Sequence, residues 1–264
     1  MTIPAHGYVS GAIPRAGGVA RHTRRMTGSD GDAVTVTTDA GPMPARRWLP
    51  PSGRGPGLLL LQEIFGVSRY IQRRAADLAA AGYVVLAPEL YWRLDEATAI
   101  DESAPGAIDA AVGRSQQLDW STTVQDAVAA LHHLRAAVEN TGRTGVIGFC
   151  FGGGLAFNVA AVETVDALVS YYGSALPNLL DLAPQVHAPS LHHFGTADAY
   201  LDAEAVDRIR TAVTAGDAVV EFEMYEGANH AFDNDDFVFA HEEASALAWE
   251  RTLRFLSEHL ASGA

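Results

Sequence analysis

The chain has a single cysteine, Cys150, inside the stretch GVIGFCFGGG at residues 145–154. An apolar run leads into Gly148-Phe149-Cys150-Phe151-Gly152, and a helical pattern follows. A G-x-C-x-G sequence between a strand and a helix is the cysteine form of a nucleophile elbow. The chemistry it serves is attack on a carbonyl carbon by a thiolate. Such an elbow turns sharply, and side chains two residues before and after the nucleophile would collide, so both positions want no Cβ. The thiol then stands at a helix N-terminus, where free N–H groups and the positive end of the dipole favour a thiolate. The N–H of Phe151 is placed to contribute to an oxyanion hole. A lone cysteine is more often a small buried apolar residue, so the reading depends on its partners.

Those partners occur in a telling order. In α/β-hydrolases the chain order is nucleophile, acid, histidine. Past Cys150, an apparent strand ends in LHHF at 191–194 and opens into Gly195-Thr196-Ala197-Asp198. The next strand runs into YEGANHAF at 225–232, which carries His230. Asp198 and His230 thus both follow strand ends, where open α/β sheets place their sites. Cys150, His230 and Asp198 have the roles of nucleophile, base and orienting acid. Glu63 follows the fully apolar run LLLL at 58–61, an odd place for a charge without a task. Rival readings are weaker. His132-His133, His192-His193 and His241-Glu242 lack the H-E-x-x-H or C-x-x-C spacing of a metal site. A non-catalytic or redox-sensing binding protein on the same fold is the alternative. A complete set of three residues argues against decay, and no second cysteine is present to resolve a sulfenic acid.

The elements that must position these residues can be read from periodicity. Strands are expected at 33–38, 43–49, 57–62, 83–87, 145–148, 166–172, 189–194 and 219–225. Helices are expected at 68–81, 121–138, 155–162, 203–215 and 239–260. The polar stretch 94–118 reads as an insertion or lid. Buried strands alternating with helices imply a mainly parallel central sheet flanked by helices, with an antiparallel edge from the first two strands. We expect a flexible N-terminal extension over residues 1–31 and one domain over 32–264. The chain of 264 residues carries 18 basic residues, all arginine, against 32 acids, a formal net charge of −14. This argues against nucleic acid as a partner. Seven of the arginines fall in residues 1–54 against three acids there. No run approaches the roughly 18 apolar residues of a membrane helix, and one cysteine cannot form an internal disulfide. A cytoplasmic protein, monomeric or weakly dimeric, is the expectation.

The residues also resemble a known family, the dienelactone hydrolases (carboxymethylenebutenolidases), which are α/β-hydrolases with a Cys–His–Asp triad. The resemblance rests on QEIFGV at 62–67, PELYWR at 88–93, GFCFGG at 148–153, HFGTAD at 193–198 and GANHAF at 227–232. It implies that Glu63 contacts the thiol and helps to deprotonate it. It implies an oxyanion hole from the N–H groups of Ile64 and Phe151, and an Arg93 that binds a substrate carboxylate. A planar pair of N–H donors suits that role. Phe65, Trp92 and Trp120 are candidates for the pocket wall. The chain departs from the family at Asn234, where a second substrate-binding arginine is expected, and at Ala231, where a serine is expected. Asn234 lies in the acidic run Asp233-Asn234-Asp235-Asp236, an unwelcoming place for a carboxylate ligand. The expected activity is hydrolysis of a small-molecule ester or lactone, with no metal and no organic cofactor.

Overall fold

The computed structural model describes residues 30–94 and 99–261. The expected extension over 1–31 falls outside the described residues except for its last two. Eight strands form one sheet: β1 (Asp32–Thr38), β2 (Gly41–Trp48), β3 (Gly55–Leu61), β4 (Val84–Pro88), β5 (Asn140–Phe149), β6 (Ala167–Tyr171), β7 (Ser190–Gly195) and β8 (Val220–Tyr225). Their order across the sheet is β1-β2-β4-β3-β5-β6-β7-β8. β2 runs antiparallel to both its neighbours, and every other pair from β4 to β8 is parallel. The mainly parallel sheet with an antiparallel N-terminal edge is therefore present. β4, β6 and β7 are buried at every position, whereas β1 and β2 alternate between exposed and buried residues. Central parallel strands are covered on both faces, and this edge is covered on one.

Among the described residues there are six α-helices: α1 (Arg69–Ala80), α2 (Ala107–Ser115), α3 (Trp120–Ala136), α4 (Phe151–Val162), α5 (Ala203–Val213) and α6 (Glu242–Leu260). A Cβ added at Gly57 of β3 would meet Leu134 of α3, and one at Gly145 of β5 would meet Leu260 of α6. Gly145 is level with Leu58, the neighbour of Gly57, so α3 and α6 lie on opposite faces. Among the described residues, no helix is long and apolar enough to cross a membrane.

Three elements differ from expectation. β5 starts at Asn140, five residues before the expected start at 145. The stretch 94–118 contains α2, whose Ala107 and Ala111 pack into the core; its residues 95–98 lie outside the described ones. α4 starts at Phe151, four residues before the expected start at 155. Glycine's low helix propensity hides the first turn, and tertiary packing overrides it. A Cβ at Gly153 would stand 2.8 Å from Ser170 Oγ, and one at Gly154 would stand 2.6 Å from Ala175 Cβ.

Two histidines sit inside β7 with no exposure. His192 stacks on Phe222 and hydrogen-bonds Ser190, while its Nδ1 has no partner. Burial lowers its pKa to about 4. The folded chain therefore keeps His192 neutral below the usual value of about 6.5, where the unfolded chain takes up a proton. Its contribution to stability is complete above that value and is lost as pH falls toward 4. The slope is about 1.4 kcal/mol per pH unit for one such group. Urea unfolding of His192→Phe should show a stability–pH slope smaller than wild type by that amount between pH 6 and 4.5. Parallel curves for the two proteins would refute it.

Candidate active site

The elbow is strained as its sequence requires. Cys150, between β5 and α4, has φ 54° and ψ −114°. This left-handed conformation is unusual for a residue with a Cβ. A Cβ at Gly148 would collide with the carbonyl of Gly152, and a Cβ at Gly152 with the carbonyl of Leu61. The second collision shows how closely the end of β3 approaches the start of α4. Ile64 lies three residues past β3, and Phe151 is the first residue of α4. Both are nearly buried.

The thiol faces His230. Cys150 Sγ lies 3.1 Å from His230 Nε2 and 3.7 Å from Ser174 Oγ. His230 Nδ1 lies 2.9 Å from Asp198 Oδ2. The other oxygen of Asp198 accepts the backbone N–H groups of Tyr200 (2.8 Å) and Leu201 (3.0 Å). The Asp198 side chain has no exposure and that of His230 has 5%. Tyr172 and Tyr200 pack on the imidazole, with centroids at 5.1 and 5.0 Å. Burial alone would lower the pKa of His230, but its electrostatic interactions and hydrogen bonds with Asp198 and Cys150 outweigh it. The net shift is well above the usual value. The three residues come from loops after β5, β7 and β8, 80 positions apart at most, and meet because parallel strands end on one edge.

Glu63 is 1% exposed and follows β3. Its Oε1 contacts the Tyr172 hydroxyl at 3.3 Å, and its Oε2 accepts from Asn234 Nδ2 at 2.9 Å. Burial raises its pKa to about 8; the hydrogen bond from Asn234 works against the shift and the charge of Glu102 adds to it. Asn234, fully buried, thus points at Glu63 rather than at a ligand. The acidic run around it is also not an open negative patch, contrary to expectation. Asp233 is held by Arg74 Nε and Nη2, both at 2.7 Å, by Ser245 and by Tyr70. Asp235 and Asp236 pair with Arg73. Helix α1 supplies both arginines, so its packing against the 233–236 loop gives each of the three carboxylates a cationic partner and offsets two of their three charges.

Arg93 is engaged as well. Its Nε and Nη2 form a two-pronged contact with Asp126 of α3, at 2.9 and 2.7 Å, and its guanidinium lies over the Trp92 ring at 4.4 Å. Trp92 Nε1 donates to the same carboxylate at 2.8 Å. Phe65 is buried against Phe237, with centroids at 5.8 Å. Trp120 packs edge-on against Phe151 at 5.5 Å and donates to Asn158. Arg93, Asp126 and Trp120 line a groove of about 1040 Å³ over α3 and α4, whose walls do not include Cys150 or His230. The sequence reading missed Asp126, Tyr172 and the inward role of Asn234. Asp126 lies in a helix that reads as amphipathic, and Tyr172 follows an apolar strand, so neither carried a local signal. Among the described residues, no group of three or more His, Cys, Asp or Glu side chains is arranged to hold a metal ion.

An eight-stranded, mainly parallel sheet with a strained cysteine turn and a histidine–aspartate pair at its carboxyl edge defines an α/β-hydrolase. Comparison with known proteins narrows this class. The model of the dienelactone hydrolase family matches residues 43–260, and the chain belongs to that family. A carboxymethylenebutenolidase of Pseudomonas putida is 34% identical over 211 residues, 79% of this chain and 88% of the relative. Carboxymethylenebutenolidase 1 of Cupriavidus pinatubonensis is 33% identical over 175 residues, 66% of this chain and 75% of the relative. A putative dienelactone hydrolase from Klebsiella pneumoniae superposes with a TM-score of 0.76 at 27% identity, covering 86% of this chain and 98% of that one. The protein is a dienelactone hydrolase-like hydrolase of carboxylic esters or lactones.

Proposed function

We propose that the protein hydrolyses a small-molecule ester or lactone through Cys150, His230 and Asp198. The observation that carries this reading is the continuous contact from Sγ to Nε2 and from Nδ1 to the buried Asp198 carboxylate. The thiol proton passes to His230, and the thiolate attacks the carbonyl carbon. The carbonyl oxygen takes the negative charge and is held by the N–H groups of Ile64 and Phe151. Collapse of this adduct expels the alkoxide, which takes the proton from His230, and leaves a thioester. His230 then takes a proton from water, whose oxygen attacks the thioester. The second collapse releases the carboxylic acid and returns the proton to sulfur. In a lactone the alkoxide stays tethered, so the ring opens to a hydroxy acid. Asp198 holds the imidazole in one orientation and favours its charged form.

Arg93 is the residue for a substrate carboxylate. Among the described residues Asp126 occupies its Nε/Nη2 edge, and we assign Nη1 to the ligand. We assign the pocket wall to the Trp92 ring, which lies under the guanidinium, and to Phe65. The relative from Pseudomonas putida is a carboxymethylenebutenolidase, which supports a dienelactone as substrate. The test is steady-state hydrolysis of a short aryl ester and of a dienelactone, before and after iodoacetamide. We expect turnover of both and its loss on alkylation. Turnover that survives complete alkylation of Cys150 would remove the thiol from the mechanism.

A further inference from the structure

β3 and β4 are parallel neighbours, so the segments that follow them leave the sheet side by side. After β3 the chain makes a turn over residues 63–66, closed by the Gly66 N–H on the Glu63 carbonyl at 3.2 Å. Gly66 has φ 87°, a conformation that glycine adopts without strain. A trans peptide group is planar, so the Ile64 N–H points opposite to the Glu63 carbonyl, and the turn sets its direction. The next two carbonyls take donors from outside the turn. Phe65 O accepts the Ile100 N–H at 2.8 Å, and Ile64 O accepts the Tyr91 hydroxyl at 2.7 Å. Tyr91 follows β4 and is tied beside the turn, because the neighbouring Leu90 N–H donates to Gln62 Oε1 at 3.3 Å. Ile64, Phe65 and Tyr91 are all buried. Burial, and then the charge of Cys150, hold the Tyr91 pKa above its usual value. The hydroxyl therefore keeps the one proton it has to give. The residue before the turn also abuts the nucleophile's helix, since a Cβ at Gly152 would stand 2.5 Å from the Gln62 carbonyl.

We propose that Tyr91 is a positioning residue for the oxyanion hole: through the Ile64 carbonyl its hydroxyl holds the turn 63–66, and with it the Ile64 N–H, in the orientation that receives the substrate oxygen. This rests on the reading above in which the N–H groups of Ile64 and Phe151 stabilise the adduct formed by Cys150. The two donors are held by different means. Phe151 opens α4, whose first turn is wholly buried, so the helix fixes its N–H. Ile64 lies outside helix and strand. Among the described residues, the one side chain that hydrogen-bonds the backbone of the turn is Tyr91. Without the hydroxyl a buried carbonyl loses its donor, a costly state that the turn relieves by shifting. A shifted oxyanion donor slows the reaction while Cys150 and His230 stay in place.

Tyr91→Phe removes the hydroxyl and keeps the ring, and three rates or affinities of the full chain test it. We expect kcat/KM for a short aryl ester to fall about 10–100-fold, less than for loss of a whole donor. Affinity for an aryl trifluoromethyl ketone should fall by the same factor. There Sγ bonds to the carbonyl carbon as the π bond opens, the thiol proton goes to His230, and the resulting alkoxide occupies the hole. Iodoacetamide instead alkylates Cys150 by displacing iodide and forms no oxyanion, so its rate should stay at the wild-type value. A merely structural role would move that rate with the other two. Tyr171→Phe is the control. It loses a buried bond of 2.7 Å to Thr252 of α6, and should lower the melting temperature while leaving kcat/KM unchanged. Wild-type kcat/KM in Tyr91→Phe, a fall that the alkylation rate shares, or an equal fall in Tyr171→Phe would overturn the proposal. The underlying reading fails separately: wild-type turnover that survives alkylation would remove the thiol mechanism, and the hole that Tyr91 serves with it.

Discussion

Cys150→Ala is expected to lower kcat/KM for an ester by about 10⁴–10⁶-fold, the cost of removing a nucleophile from a cooperating set. The reason is geometric. The only thiol in the chain stands 3.1 Å from an imidazole whose other nitrogen is fixed by a buried carboxylate. Alanine leaves no atom that can form the thioester, and His230 by itself has nothing to activate but water. The backbone conformation at φ 54° is accessible to alanine at the same strain as to cysteine. The melting temperature should therefore change little, since the variant loses one small buried atom. A folded variant that keeps more than a few per cent of wild-type kcat/KM would contradict the proposed mechanism.

The largest stability effect is expected at Arg74→Ala. Arg74 makes two hydrogen bonds of 2.7 Å to Asp233, a carboxylate with no exposure, and its guanidinium lies 4.5 Å from the centre of the Trp249 ring. Burial works against the guanidinium's charge, but Asp233 outweighs it and holds Arg74 firmly protonated. Truncation leaves Asp233 buried with only the hydroxyls of Tyr70 and Ser245. Removing one member of a buried pair costs about 3–5 kcal/mol, because the other charge stays out of water uncompensated. For a domain of this size that is a fall in melting temperature of roughly 6–20 °C. The contrast with Arg254 is useful. Its partners Glu221 and Glu258 are partly exposed, and Arg254→Ala should change stability by less than about 1 kcal/mol. A thermal melt of both variants checks the pair. Equal shifts would mean that the Arg74 pair contributes no more than a surface one.

Much of the candidate site's geometry was legible in the sequence for local reasons. The elbow was readable because its demands fall on adjacent residues: Gly148 and Gly152 have no room for a Cβ, and Cys150 lies between them. The order Cys150, Asp198, His230 was readable because each follows a strand, and parallel strands bring their carboxyl ends to one edge whatever the loops contain. The buried strands announced themselves as apolar runs, and with them the mainly parallel sheet. The start of α4 was not readable, since propensity counts glycine against a helix while the approach of Gly153 and Gly154 to Ser170 and Ala175 depends on neighbours in space.

What only the tertiary structure decided is which charges are free. Arg93 reads as an available cation, yet Asp126, 33 positions away, takes two of its nitrogens. Asp233, Asp235 and Asp236 read as a negative patch, yet Arg73 and Arg74, about 160 positions earlier, pair with all three. Asn234 reads as a lost ligand, yet it donates to Glu63 across 171 positions. The physical reason is range. Backbone conformation and the apolar period are set by neighbours in the chain, so the sequence by itself determined most of the elements and the chain order of the candidate site residues. The state of a buried charge is set by whatever packing brings within 3 Å, and that pairing exists only once the sheet and α1 have closed over it.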